Sequence, residues 1–314
     1  MNEATPMSRR RFLWAAGALG AAAAIDPGRL AGAQATIPDI ARRAAAADPV
    51  VVQRLRGGLA VLTGSGGNIT VLPGADGVLL IDSGIVGRKV AAAVATLTRQ
   101  PIRHVANTHW HFDHTDANGW FASRGANVIA HRNTRARLSR DTRVEDWSFT
   151  FPRTAPAALP RTLFDEERAL RLNGMQVMLA HYPPGHTDTD VVAHFVGPDV
   201  ISAGDIWWNG IYPFIDYSTG GSINGMIASM ERTLARASAS TVIVPGHGAT
   251  ASRVELQRDR DMLVAIRDRV AALKRQGRTM AQAVAAKPTA AHDARAGGSF
   301  INGDFFTRLV YKGV

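Results

Sequence analysis

The chain has 314 residues, 46% of them hydrophobic and 20% charged, enough apolar material to bury one large core. Its formal net charge is +10, but the arginines are spread along the chain rather than stacked in one block, which speaks for a solvated exterior and against a nucleic-acid module. There is no cysteine, so disulfide staples and thiolate ligands are excluded, and any metal must be held by His, Asp or Glu.

The N-terminus reads Ser8, Arg9, Arg10, Arg11, Phe12, Leu13, followed by an apolar, alanine-rich run from Trp14 to Ile25. That run is too short and too small-sided to span a bilayer comfortably, and Ala33, Gln34 and Ala35 supply the small-x-small pattern a signal peptidase accepts. Residues 1–35 are therefore expected to be a twin-arginine signal peptide, with the mature chain starting near Thr36 in the periplasm. Its expected partners are the twin-arginine export machinery and a small-molecule substrate, with no nucleic acid and no stable membrane insertion after cleavage. The leader carries Arg9, Arg10, Arg11 and Arg29 against Glu3 and Asp26, so the +10 of the whole chain less +2 leaves +8.

From Val50 to Ile81 short apolar runs (Val50 to Leu55, Leu59 to Thr63, Asn68 to Leu72, Gly77 to Ile81) alternate with glycine-rich turns, a β-meander. A helix is predicted over 87–99 and a strand over 102–107 that runs into a histidine cluster. A second half repeats the character, with strands near 176–180, 191–196 and 200–203, a helix over 223–237 and a strand over 241–244. Leu256, Leu263, Ile266, Val270 and Leu273 then recur at helical spacing over 253–276, and a shorter helix follows over 280–286. The pattern predicts an α/β protein, an αββα sandwich of two mixed β-sheets flanked by helices, with a main domain over 36–252 and a helical extension, 253–314, packed on it.

The chemistry concentrates after the strand ending near Asn107. His109 and His111 point the same way in an extended segment, and Asp113 and His114 follow on the turn, giving two imidazoles for one cation and a carboxylate with an imidazole for a second. So many donors in so few residues are costly to bury without a cation. Further candidates again follow strand ends: His186 in PGHTDTD, Asp205 in SAGD and His247 in VPGHG. The glycines flanking His186 and His247 (Gly185, Gly246, Gly248) permit close approach of the backbone to a metal. His104, His131, His181, His194 and His292 carry no such pattern and are read as ordinary hydrogen-bonded histidines.

The segment THWHFDHTDAN, Thr108 to Asn118, resembles the metal loop of the metallo-β-lactamase-fold hydrolases, and the three later motifs occur in the order of that superfamily over about Val50 to Ala249. The resemblance implies a pair of divalent ions, with zinc expected: His109, His111 and His186 on the first, Asp113, His114 and His247 on the second, and Asp205 bridging both. It further implies a buried supporting carboxylate at Asp82, in LLIDSG, and catalytic roles for Asp113 and Asp205 around a bridging hydroxide. Such a centre would attack an ester, lactone, thioester, amide or other electrophilic carbon. Asp205 stands where the thiolate-liganded β-lactamases carry cysteine, a departure from the antibiotic enzymes. A class B-like β-lactamase, a hydrolytic aromatic dehalogenase and a mononuclear iron sulfur dioxygenase share enough of the pattern to stand beside the dinuclear hydrolase.

Aromatic residues crowd the segments beside these motifs. Trp147 and Phe149 in an insertion, and Trp208, Tyr212 and Tyr217 after Asp205, are expected to contact the substrate from loops above the metals.

Overall fold

The computed structural model describes residues 35–314; the expected signal peptide lies outside them apart from Ala35. Helix α1 (Ile37–Ala47) begins at Thr36, whose side chain caps the amide of Asp39 while Asp39 returns to the Thr36 backbone, with Pro38 in the first turn. Strands β1 (Val51–Arg54), β2 (Ala60–Thr63), β3 (Ile69–Leu72) and β4 (Val78–Ile81) form the expected antiparallel meander. After α2 (Gly87–Ala95), strand β5 (Ile102–Ala106) joins β4 in parallel, and the histidine segment follows as the short helices α3 (Phe112–Thr115) and α4 (Asn118–Ala122). Strands β6 (Asn127–His131) and β9 (Thr162–Phe164) complete a seven-stranded mixed sheet in the order β1-β2-β3-β4-β5-β6-β9.

Between β6 and β9 lie α5 (Arg132–Leu138) and a hairpin of β7 (Thr142–Val144) and β8 (Phe149–Phe151). The second sheet takes β10 (Glu167–Leu172), β11 (Met175–His181), β12 (Val191–Phe195), β13 (Val200–Trp208) and β14 (Val242–His247) in sequence order. Helix α6 (Ile223–Arg236) links β13 to β14, and α7 (Arg253–Arg275), α8 (Met280–Ala285), α9 (Ala290–Ala296) and α10 (Gly303–Lys312) follow.

Side-chain alternation along the strands separates three cores. Val61, Leu79 and Ile81 face inward and meet Leu179, Ala193, Phe195 and Val244 between the sheets. Their neighbours Ala60, Leu62, Val78 and Leu80 point the other way and pack under Val90 and Val94 of α2 and Phe121 of α4. On the far side Ile201 and Ala203 of β13 lie under Met226 and Met230 of α6, Leu256, Leu263 and Ile266 of α7 and Phe306 and Leu309 of α10. This is the αββα sandwich the sequence predicts. Replacing one enclosed side chain such as Leu79 by alanine costs about 2–5 kcal/mol by lost transfer energy and cavity formation. Among the described residues no helix is long and apolar enough to cross a membrane.

Two element boundaries depart from expectation, the first at the site itself. Strand β13 continues through Asp205 to Trp208, because its parallel pairing with β14 resumes across an irregularity at Gly204 and ends at Trp208 opposite His247. Helix α2 stops at Ala95 rather than Arg99, its last turn closing on Thr96.

Candidate metal centre

The C-terminal ends of β4, β5, β13 and β14 open on one edge of the sandwich, and each delivers a polar residue there. Asp82 directly follows β4 with φ 70°, a left-handed backbone that Asp tolerates better than most residues. Its Oδ1 accepts from the Thr108 amide at 2.7 Å, and its Oδ2 from the Thr108 hydroxyl at 2.7 Å and from His114 Nδ1 at 2.8 Å. One carboxylate thus fixes both the start of the histidine segment and the ring of His114. His111 precedes α3 in extended conformation, and Thr115 closes the turn by donating to the carbonyls of Trp110 and His111.

The ring nitrogens left after these supports converge. His186 donates from Nδ1 to the Phe214 carbonyl at 2.8 Å, and His111 donates from Nε2 to Asp216 at 3.1 Å. The remaining nitrogens, His186 Nε2 and His111 Nδ1, then face each other at 2.8 Å as two lone pairs, an arrangement that a cation relieves. Asp205 presents Oδ1 to His114 Nε2 at 3.1 Å and Oδ2 to His186 Nε2 and His247 Nε2, each at 3.4 Å. Asp113 Oδ2 lies 3.2 Å from His247 Nε2 and 3.5 Å from His114 Nε2. Three triads offer donor atoms within 4.8 Å of one another: His109, His111 and His186; His109, His114 and Asp205; and Asp113, His114 and His247. His109 Nε2, His114 Nε2, His247 Nε2 and Asp205 Oδ1 are buried and make no hydrogen bond of good geometry, although carboxylate oxygens stand 3.1 Å from His114 and 3.2 Å from His247, and all four belong to these triads. Orphaned donors and acceptors at one point are what a metal-binding cavity leaves behind.

Charge balance points the same way. Burial disfavours the imidazolium of His114, but Asp205, Asp113 and Asp82 outweigh it and raise its pKa well above the ordinary value. Burial is likewise overcome at His247, where Asp205 and Asp113 raise the pKa to about 9. His186, with burial dominant, falls to about 4, and His109 lies well below its ordinary value because burial and the neighbouring imidazoles act together. Without a cation, protons on His114 and His247 supply the positive charge that the carboxylates require.

Glycine is needed for this close approach at two positions. A Cβ on Gly67 would sit 2.1 Å from the His114 ring, and one on Gly246 would sit 1.9 Å from Asp205 Oδ1. Gly185 instead lets the His186 loop lie against the backbone of α6. That loop is held by Asp190, which accepts from the amides of His186 at 2.7 Å and Thr187 at 3.1 Å; burial lifts its carboxyl to about 7 against the hydrogen bonds that oppose it. Neither Asp190 nor Asp216 is among the sequence-derived candidates. Asp190 stands inside PGHTDTD, where its place in the motif was the available signal; Asp216 had none.

The aromatic expectations divide. Trp147 lies 5.3 Å from the His111 ring and stacks on Phe214 at 4.6 Å, and Trp208 lies 4.3 Å from the His247 ring. Phe149 meets Phe151 at 4.7 Å, and among the described residues its ring reaches no candidate ligand. Tyr212 is not a pocket residue: it is fully enclosed, stacked on Phe306, and its hydroxyl donates to Asp293 at 2.9 Å with the Thr289 carbonyl 3.2 Å away. Tyr217 is also displaced from the expected wall, since its hydroxyl lies under Gly313 at the end of α10. Both tyrosines follow Asp205 in sequence, but the C-terminal helices cover them. Of the remaining histidines, His131 and His181 stack on each other at 3.8 Å, outside every triad.

An αββα sandwich with a buried His/Asp cluster at its strand ends is a scaffold for metal-dependent hydrolysis. Residues 62–247 match the Metallo-beta-lactamase superfamily, and the chain belongs to that family, whose members are generally metal-dependent hydrolases. A metallo-beta-lactamase from Pontibacter korlensis is 17% identical with a TM-score of 0.56, the match covering 68% of this chain and 99% of that one. DIM-1 metallo-beta-lactamase is 18% identical at 0.56, covering 69% and 98%. The stereoselective inverting sec-alkylsulfatase Pisa1 from Pseudomonas sp. is 16% identical at 0.59, covering 84% of this chain but 50% of the sulfatase. At these identities the similarity concerns the fold alone.

Proposed function

We propose that this chain is a dinuclear zinc hydrolase of the periplasm, exported by the twin-arginine route, that cleaves a small molecule at an ester, lactone, thioester, amide or other electrophilic carbon. The observation that carries the reading is the convergence of the four orphaned atoms His109 Nε2, His114 Nε2, His247 Nε2 and Asp205 Oδ1. In this reading His109, His111 and His186 hold one ion and Asp113, His114 and His247 the other. Asp205 serves both, because its two oxygens face nitrogens of both sets. Two zinc ions bound there supply Lewis acidity and a water acidified to near neutrality.

The protein's own groups complete the site. Asp82, Asp216 and the Phe214 carbonyl hold the rings of His114, His111 and His186 in the tautomer that aims a lone pair inward. Asp113 and Asp205 offset the charge of two cations held close together. The absence of any thiolate and the presence of Asp205 favour hydrolysis other than that of β-lactams.

Elemental analysis of purified enzyme, with a turnover screen on lactones, thioesters, β-lactams, phosphoesters and chlorinated aromatics, tests the proposal. Two zinc ions per chain and turnover of an acyl substrate are expected. Full activity with one ion or none, or iron-dependent oxygen uptake, overturns it. For the export route, replacing Arg9 and Arg10 by lysine should hold the precursor in the cytoplasm; unchanged delivery to the periplasm removes that part.

A further inference from the structure

The two ligand sets are unequally covered. The side chains of His109, His111 and His186 are at most 1% exposed; in the second set His114 is as well covered, but Asp113 is 13% and His247 20% exposed. The cover over the first set is the β7–β8 hairpin, which places Trp147 against His111 and Phe214. That hairpin is tied down by the Glu145 amide, which donates to Ser218 Oγ at 2.9 Å, and by an ion pair of Asp146 with Lys312 from α10. Among the described residues, the candidate ligands are open to solvent on the Asp113 and His247 side.

Beside His247 lies the ring of Trp208, itself buried, and 6.3 Å from the Trp208 ring stands Phe300. Phe300 belongs to the connection between α9 and α10, far in sequence from every metal motif. The connection is anchored on both sides: the Ala296 carbonyl accepts from the Tyr212 amide at 3.0 Å, Ser299 Oγ accepts from the Ile301 amide at 3.2 Å, and Asn302 caps α10. Ala296 and Ile301 are enclosed, but Phe300 between them stays only partly buried. A large ring held partly open, one ring away from a candidate ligand, retains apolar surface that a substrate group can cover.

We propose that Phe300, backed by the buried Trp208, is the specificity-determining wall of this site and selects substrates that carry an apolar chain or ring on the part lying beside His247. The C-terminal helices are then part of the substrate site, not a mere appendage. This inference rests on the hydrolase reading for its chemistry, but binding can test it without turnover.

The probe is a series of straight-chain carboxylates from acetate to octanoate, titrated calorimetrically into the zinc-loaded enzyme. Affinity is expected to rise with chain length in the wild type, and Phe300→Ala should lose about tenfold on octanoate while keeping acetate affinity and zinc content. Phe300→Leu should recover most of the loss. A purely structural role would lower affinity for the whole series together with the melting temperature. The wall is refuted if chain length has no effect in the wild type or the same effect in Phe300→Ala. Should the chain-length effect vanish in Phe300→Ala while neither p-nitrophenyl octanoate nor any substrate of the turnover screen is hydrolysed, the hydrolase reading fails and the wall stands.

Discussion

Replacing Asp82 separates support of the fold from support of a metal ligand. Its carboxylate accepts three buried hydrogen bonds, two from Thr108 and one from His114 Nδ1, at 2.7–2.8 Å. Asp82→Ala leaves three donors unpaired and puts a β-carbon without local hydrogen bonding at φ 70°. Unpaired buried groups cost about 1–3 kcal/mol each and the backbone about 1–2 kcal/mol, so with partial relaxation a loss of about 4 kcal/mol is expected. Asp82→Asn is the sharper test, because asparagine tolerates the left-handed backbone and can keep the acceptor for the Thr108 amide. Its NH2 then faces His114 Nδ1, which must become an acceptor, and the ring proton moves to Nε2, the nitrogen aimed at the metals. Urea denaturation should show a loss of about 1–2 kcal/mol for Asp82→Asn, while competition with a zinc chelator should show affinity reduced about 10–100-fold. Zinc affinity of Asp82→Asn within about twofold of wild type would refute the tautomer reasoning and remove Asp82 from the site.

The metal-free protein should lose stability as pH rises. His247 has its pKa raised from 6.5 to about 9 in the fold, so its contribution, at most about 3 kcal/mol, is full below pH 6.5 and lost as pH passes 9; denaturation at pH 6, 8 and 9.5 after chelation checks the sign. Zinc must displace that proton, so zinc affinity should rise over the same interval, with proton release seen by calorimetry in two buffers. Asp205→Ala should abolish two-ion binding, read by elemental analysis, since both carboxylate oxygens face candidate ligands. Penicillin and carbapenem turnover, if measurable, should stay below about 10⁶ M⁻¹s⁻¹ in kcat/KM. Tyr212→Phe should cost about 1 kcal/mol of stability and leave kcat and KM unchanged, because its hydroxyl serves Thr289 and Asp293 in the joint with the C-terminal helices.

How far the sequence reveals this protein depends on the range of the interactions that fix each part. The meander β1–β4 is legible because neighbouring strands pair with one another and alternate between two cores, so the pattern of Val61 and Leu62 or Leu79 and Leu80 carries the answer locally. The candidate metal residues are legible for a different reason: they sit at strand ends or in the turns just after them, in compact motifs whose donor density has no cheaper explanation. Helix α10 left a local signal in Phe306, Leu309 and Val310, spaced to share one face. The β7–β8 hairpin left little, since Arg143, Glu145 and Asp146 are charged and its position depends on Ser218 and Lys312.

The aromatic residues are the hardest to place, and the reason is geometrical. Trp207 and Trp208 are adjacent on β13, so the pleat sends them to opposite sides: Trp207 donates its indole N–H to the buried Asp259 of α7, while Trp208 turns to His247. Asp259 is held in turn by Arg295 of α9, so the end of the strand that carries Asp205 and Trp208 is fixed by two C-terminal helices. Composition and proximity to Asp205 treat the two tryptophans alike; the pleat and the partner helices tell them apart. Helices α9 and α10 enclose Tyr212, and the connection between them sets Phe300 beside Trp208, so the C-terminal contacts bury one expected aromatic and bring an unexpected one next to another. The surroundings of the candidate site therefore have to be read from what packs onto the strand ends, whereas the candidate ligands can be read from the local motifs themselves.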